Sequence, residues 1–121
     1  MIDHIILNVT QIDEAKEFYM MSLAPLEYEM IWEQQTWAAF GKDGKPEFLL
    51  QQGLKTNPPL HIAFRADTRT MVNTFYSVAM SVGGKDNGAP GIRDQYHPHY
   101  YGAFVLDPDG NNIEAVCHDP E

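Results

Sequence analysis

The hydrophobic pattern changes period several times along the chain, and each change marks an element. Residues 5–9, Ile-Ile-Leu-Asn-Val, form a β-branched apolar run of strand length. Over 12–23 the apolar residues Ile12, Ala15, Phe18, Tyr19 and Leu23 recur close to helical spacing, and Asp13 and Glu14 favour a helix start through its dipole. Strands are predicted near 27–32, 35–40 and 47–52. Asp43-Gly44 forms the turn between the last two, because Asp and Gly tolerate the positive φ of such turns. Residues 54–59, ending Asn57-Pro58-Pro59, read as a linker, since proline has no N–H to give a ladder. A strand at 60–66, a helix over 69–82 stopped by Gly83-Gly84, and strands at 101–106 and 112–117 follow. The stretch 85–100, with Gly88, Pro90, Gly91 and Pro98, has no clear period. It reads either as a functional loop or lid, or as a surface excursion holding one short strand.

These elements repeat. His4-Ile-Ile-Leu-Asn-Val9 matches His61-Ile-Ala-Phe-Arg-Ala66, and Phe18-Tyr19 matches Phe75-Tyr76; both offsets are 57 residues (61 minus 4, 75 minus 18). Phe40-Gly-Lys-Asp-Gly44 matches Leu106-Asp-Pro-Asp-Gly110 at an offset of 66, so the second unit carries nine more residues, and these fall between Gly83 and Tyr101. The pattern predicts an α+β fold: two modules of strand, helix and three further strands, βαβββ, related by a pseudo-twofold axis. Module one covers 1–53, the linker 54–59 and module two 60–118, all within a single domain over 1–121.

Composition narrows the function. Eight Lys and Arg against 17 Asp and Glu give a formal charge of -9, which argues against a nucleic-acid partner or an anionic membrane surface. The apolar run at 5–9 is too short for a membrane span or a signal sequence. Cys117 is the single cysteine, so no disulfide framework exists, and a cytoplasmic location is expected.

The repeat also points to chemistry. His4 and His61 hold the same place in their modules, so a twofold arrangement can bring both imidazoles to one point. Glu114 lies inside the apolar run Asn-Ile-Glu-Ala-Val, where a carboxylate is costly to bury unless paired or bound to a cation. Two histidines and one carboxylate are the donor set of an open-sided divalent metal site, so His4, His61 and Glu114 are the candidate metal ligands.

The segments Ile2-Asp-His4-Ile, Phe18-Tyr19, Pro25-Leu26, His61-Ile-Ala-Phe64 and above all Tyr101-Gly-Ala-Phe-Val-Leu-Asp-Pro-Asp-Gly-Asn-Asn-Ile-Glu114-Ala-Val resemble the vicinal oxygen chelate superfamily, which includes glyoxalases, bleomycin-resistance proteins and extradiol dioxygenases. The resemblance spans nearly the whole chain. It implies curled mixed sheets around a cleft with a metal (Zn, Ni, Fe or Mn) at its floor, a small-molecule substrate with vicinal oxygens, and a homodimer sharing cleft walls. It also implies that His4, His61 and Glu114 match three ligand positions. Glyoxalase I draws a fourth, a second carboxylate, from the last strand of module one, where ungapped alignment sets Phe48 against Glu114; a slip of two or three residues offers Leu50 or Gln51.

A missing second carboxylate weakens the proton-transfer route of glyoxalase I and leaves the two-His, one-carboxylate set used by non-haem iron dioxygenases. The expected activity is therefore that of a metal-dependent, glyoxalase-like lyase or dioxygenase, with Glu114 as a catalytic base assisted by His97 and Tyr100. Trp37, Phe48, Leu50, Arg93, His99 and Tyr101 are expected to contact substrate. The competing expectation is a metal-free protein that sequesters a small ligand in an acidic cleft, as bleomycin-resistance proteins do.

Overall fold

The computed structural model describes residues 1–120. Its elements run β1 (Ile5–Val9), α1 (Ile12–Leu23), a short 3-10 turn (Ala24–Leu26), β2 (Glu29–Gln34), β3 (Trp37–Lys42) and β4 (Lys45–Gln52). They continue with β5 (His61–Arg65), α2 (Arg69–Ser81), β6 (Lys85–Ile92), β7 (Tyr101–Leu106) and β8 (Asn112–Cys117). Two four-stranded sheets result, ordered β1-β4-β3-β2 and β5-β8-β7-β6, so the second module repeats the topology of the first. In each sheet the first strand pairs parallel with the last and the remaining pairs are antiparallel, giving two mixed, unclosed sheets.

Of the two readings of residues 85–100, the structure takes the one that holds a strand. Half of the stretch is β6, an edge strand whose pairing with β7 breaks register twice, around Gly88 and before Gly91. Gly and Pro erase the alternation that would announce a strand, but an edge position tolerates both, because one side of the strand needs no donors. The loop proper is the eight residues 93–100.

The core lies between the sheets and helices. Strand alternation sends Leu7, Val9, Ala38, Phe40, Phe48 and Leu50 from the first sheet, and Ile62, Phe64, Ala103, Val105, Ile113 and Ala115 from the second, into one cluster with Phe18, Tyr19, Val72 and Phe75 of the helices. Edge-to-face aromatic contacts cross the modules: Tyr19 meets Phe48 at 5.0 Å between centroids, and Phe48 meets Phe64 at 5.3 Å.

Local signals fix the element ends. Asp43 and Gly44, at φ 53° and 74°, make the two-residue turn joining Lys42 to Lys45. The second helix is capped by the Thr68 hydroxyl, which accepts from the Met71 N–H, and ends where Gly83 takes φ 100° and the Gly84 N–H returns to the Ala79 carbonyl.

The turn before β8 ties the modules together. Buried Asp107 accepts from the backbone N–H of Asp109 and Asn111, from the Asn111 amide, and from the Tyr19 hydroxyl of module one at 2.5 Å. Asp109 in turn accepts from the Thr10 N–H and hydroxyl at 2.8 and 2.6 Å. A charge buried with this many donors holds its loop rigidly, and the loop sets the start of the strand that carries Glu114.

Candidate functional site

Register, not sequence distance, brings the site together. On β8, Ile113 and Ala115 face the core, so Glu114 faces the opposite side of the sheet. Phe104 of β7 lies level with Glu114 and shares that side. His61 of β5 is level with Asn112, two residues short of Glu114, and points the same way. The result is contact: His61 Nε2 donates to Glu114 Oε1 at 2.8 Å. The Tyr100 hydroxyl, arriving from loop 93–100, donates to Glu114 Oε2. A Cβ on Gly102 would stand 3.1 Å from Tyr100 and 3.3 Å from Glu114 Oε2, so the bare backbone there makes room for the pair.

These residues line an open cleft of about 320 Å³ walled by His61, Tyr96, Tyr100, Phe104 and Glu114. Glu114 is 1% exposed while the His61 side chain is 54% exposed, so a buried carboxylate orients an accessible imidazole. Burial, then the hydrogen bond and charge of Glu114, pushes the Tyr100 phenol above its usual range, so it stays protonated and remains a donor. Tyr96 meets Tyr100 edge-on at 5.1 Å, and the Arg93 guanidinium lies 5.5 Å above the Phe104 ring.

The first sheet offers a different face. Ile6, Ala39, Leu49 and Trp32 are linked side by side through the register, away from the core, and Ile6 and Trp32 are 44% and 39% exposed. Pairing of Ile5 with Phe48 puts His4 level with Glu47, two residues short of Leu49. Leu49 is therefore the symmetry mate of Glu114.

Comparison with known proteins agrees with this architecture. The model of the Glyoxalase/Bleomycin resistance protein/Dioxygenase superfamily matches residues 1–115. The chain belongs to that superfamily. A glyoxalase/bleomycin resistance protein from Albidiferax ferrireducens T118 superposes with a TM-score of 0.81 at 23% identity, covering 95% of this chain and 97% of that one. A glyoxalase/bleomycin resistance protein/dioxygenase family enzyme from Burkholderia phytofirmans PsJN gives 0.77 at 17% identity and 98% of both chains. A glyoxalase-related enzyme from Fulvimarina pelagi gives 0.72 at 18% identity, covering 97% and 87%. At these identities the likeness is one of fold. No curated protein matches the chain.

Against the ligand set that the superfamily resemblance implied, the single chain assembles one half. His61 and Glu114 meet, but among the described residues no three His, Cys, Asp or Glu side chains converge on one point. His4 instead contacts Asp3 at 2.7 Å. The two modules share one core, and among the described residues His4 does not join His61 and Glu114 in a three-donor group.

Other expected contacts sort by face. Phe48 and Leu50 do not line the cleft; at 2% and 0% exposure they belong to the core, because alternation turns them toward the helices. Tyr101 also faces the helix side, where its hydroxyl donates to Asn73 at 2.6 Å and Arg69 lies over its ring. Trp37 lies level with Gln51 on the first sheet, away from the cleft of its own chain. His97 turns to the Pro98 carbonyl and the His118 ring, and His99, at φ 67°, is exposed at a turn; neither lines the cleft. Arg93 backs the Phe104 wall. Phe104 was missed, although it is found by counting back from Glu114 across the hairpin.

Proposed function

We propose that this chain is a metal-dependent, glyoxalase-like enzyme, a lyase or dioxygenase, whose working site is the His61–Glu114–Tyr100 cleft closed by the first sheet of a second copy. The observation that carries this reading is a nitrogen and an oxygen donor 2.8 Å apart at the foot of an open cleft, one of them on a buried carboxylate. Neighbouring donors around a divalent ion of Zn type stand about 3 Å apart, so the pair fits two adjacent ligand positions. His61 and Glu114 would hold the ion, and His4 of a second copy, with its side chain 47% exposed, supplies the third donor. Such an ion, when bound, stabilises oxygen anions as a Lewis acid. The chain's own residues do the rest. Tyr96 and Phe104 hold the apolar part of a small vicinal-oxygen substrate, Tyr100 presents its hydroxyl beside Glu114, and Glu114 accepts a proton from the substrate. The exposed apolar face of Ile6, Leu49 and Trp32 supports a homodimer, because contiguous apolar surface on a sheet favours coverage. The single thiol, Cys117, supports a reducing, cytoplasmic setting.

A second reading rests on Leu49. With an apolar residue where its symmetry mate is a carboxylate, the pair of modules suits a metal-free protein that sequesters a small ligand. Metal analysis of untagged protein separates the two, alongside light scattering. The enzyme reading expects a dimer with near-stoichiometric metal that His61→Ala and Glu114→Ala each lose. A parent protein that takes up no metal ion after incubation with Zn, Ni, Fe or Mn leaves the sequestering role.

A further inference from the structure

A second cavity lies away from the His61 cleft, where the start of β1 and β4 of module one meets β5 of module two. Its volume is about 240 Å³, equal to roughly eight waters at ~30 Å³ each, which is room for a molecule of about ten non-hydrogen atoms. Ile5, Phe48, Ile62 and Phe64 supply apolar wall, and Asp3, Glu47 and Arg65 supply charge of both signs.

The charged groups are incompletely used. Glu47 takes the Tyr28 hydroxyl on Oε1 at 2.7 Å, and Asp3 takes His4 on Oδ1 at 2.7 Å; no hydrogen bond to the other oxygen of either is formed among the described residues. The Arg65 side chain makes no hydrogen bond or ion pair with any described residue, although it shares the hollow with both carboxylates. Opposite charges that border one cavity without pairing leave donors and acceptors for a guest that carries both signs.

We infer that this inter-module hollow binds a small apolar zwitterion, with its carboxylate on Arg65, its ammonium on Glu47 and Asp3, and its hydrocarbon against Phe48 and Phe64. The site shares no lining residue with the His61–Glu114 cleft, and its one link to the proposed metal site is Asp3, which contacts His4.

Two probes carry the same groups at two separations: L-leucine and 6-aminohexanoate. Calorimetric titration of the full chain is expected to show saturable binding of at least one of them, with a matching rise in Tm. Leucinamide, which lacks the carboxylate, and N-acetyl-leucine, which lacks the cation, are each expected to bind about tenfold or more weakly than leucine where leucine is the ligand, as loss of one charge-assisted contact implies. Where 6-aminohexanoate is the ligand, its methyl ester and N-acetyl form replace them. Arg65→Ala and Glu47→Gln are expected to weaken binding by a similar factor, while His61→Ala leaves it unchanged. Binding that survives Arg65→Ala, equal binding by a singly charged analogue, loss of binding in His61→Ala, or no binding of either probe at ~10 mM overturns the proposal. None of these outcomes bears on metal uptake by the other cleft.

Discussion

The two modules share topology, helix placement and core positions, yet their open faces have diverged. Phe48 and Ile113 occupy the same place in their sheets and both are buried against the helices. One residue on, Leu49 and Glu114 also occupy the same place, but one continues an apolar surface and the other holds His61 and Tyr100. The inward face must fill one common core, so both copies keep large apolar side chains there. The outward face carries no such packing constraint, and there one copy became a cleft with a buried charge while the other became a wall.

The largest effect is expected where the modules agree. Phe48→Ala empties a position touching Tyr19, Phe40 and Phe64 and should cost about 3–5 kcal/mol in urea unfolding, without altering ligand binding in the His61 cleft of the fraction that stays folded. Were Phe48 a cleft residue, the opposite split would be seen.

Where the modules differ, Glu114→Leu copies module one into module two. Metal affinity should fall at least about 100-fold, since loss of an outer partner alone costs 10–100-fold. Tm should hold or rise, because a buried charge gives way to an apolar side chain of similar size. A Tm drop of many degrees with metal binding retained would assign Glu114 a purely structural role.

The matched tyrosines give a smaller, pH-dependent contrast. Tyr19 is fully buried and donates to Asp107, whereas Tyr76, 57 residues on, donates to Asp86 at the surface. Tyr19→Phe should cost about 1–3 kcal/mol at neutral pH, and Tyr76→Phe should leave the unfolding midpoint nearly unmoved. Burial, reinforced by the Asp107 charge and hydrogen bond, holds the Tyr19 phenol well above its ordinary range. A raised folded-state pKa stabilises fully below the unfolded value of about 10 and is lost as pH climbs past it. Denaturation midpoints between pH 9 and 11 should accordingly fall more steeply for the parent than for Tyr19→Phe.

Smallest are the turns. Gly44 and Gly110 sit at φ 74° and 90° with nothing within 4 Å of an added Cβ, so only backbone strain resists substitution. Alanine at either should cost about 1–2 kcal/mol, and by the same amount in both modules if the repeat is as regular as its registers indicate.

The sequence alone determined what depends on neighbours along the chain. The alternation of Leu7, Val9, Phe48 and Leu50, the helical spacing of Phe18 and Tyr19, and the Asp43-Gly44 turn are short-range statements, and the repeat at 57 residues let each support the other. That was enough for the fold and for singling out His61, Glu114 and Tyr100, three side chains that the structure brings into contact. Tertiary structure decided what depends on register and on the side of a sheet. It made Leu49 rather than Phe48 the mate of Glu114, turned Phe48 and Tyr101 inward, and chose, between the two readings of 85–100, the one with a strand, β6. It also placed His4 on Asp3, with no third donor joining His61 and Glu114 among the described residues. A one-residue shift in pairing reverses every side chain on a strand, and no local period records which pairing long-range packing selects.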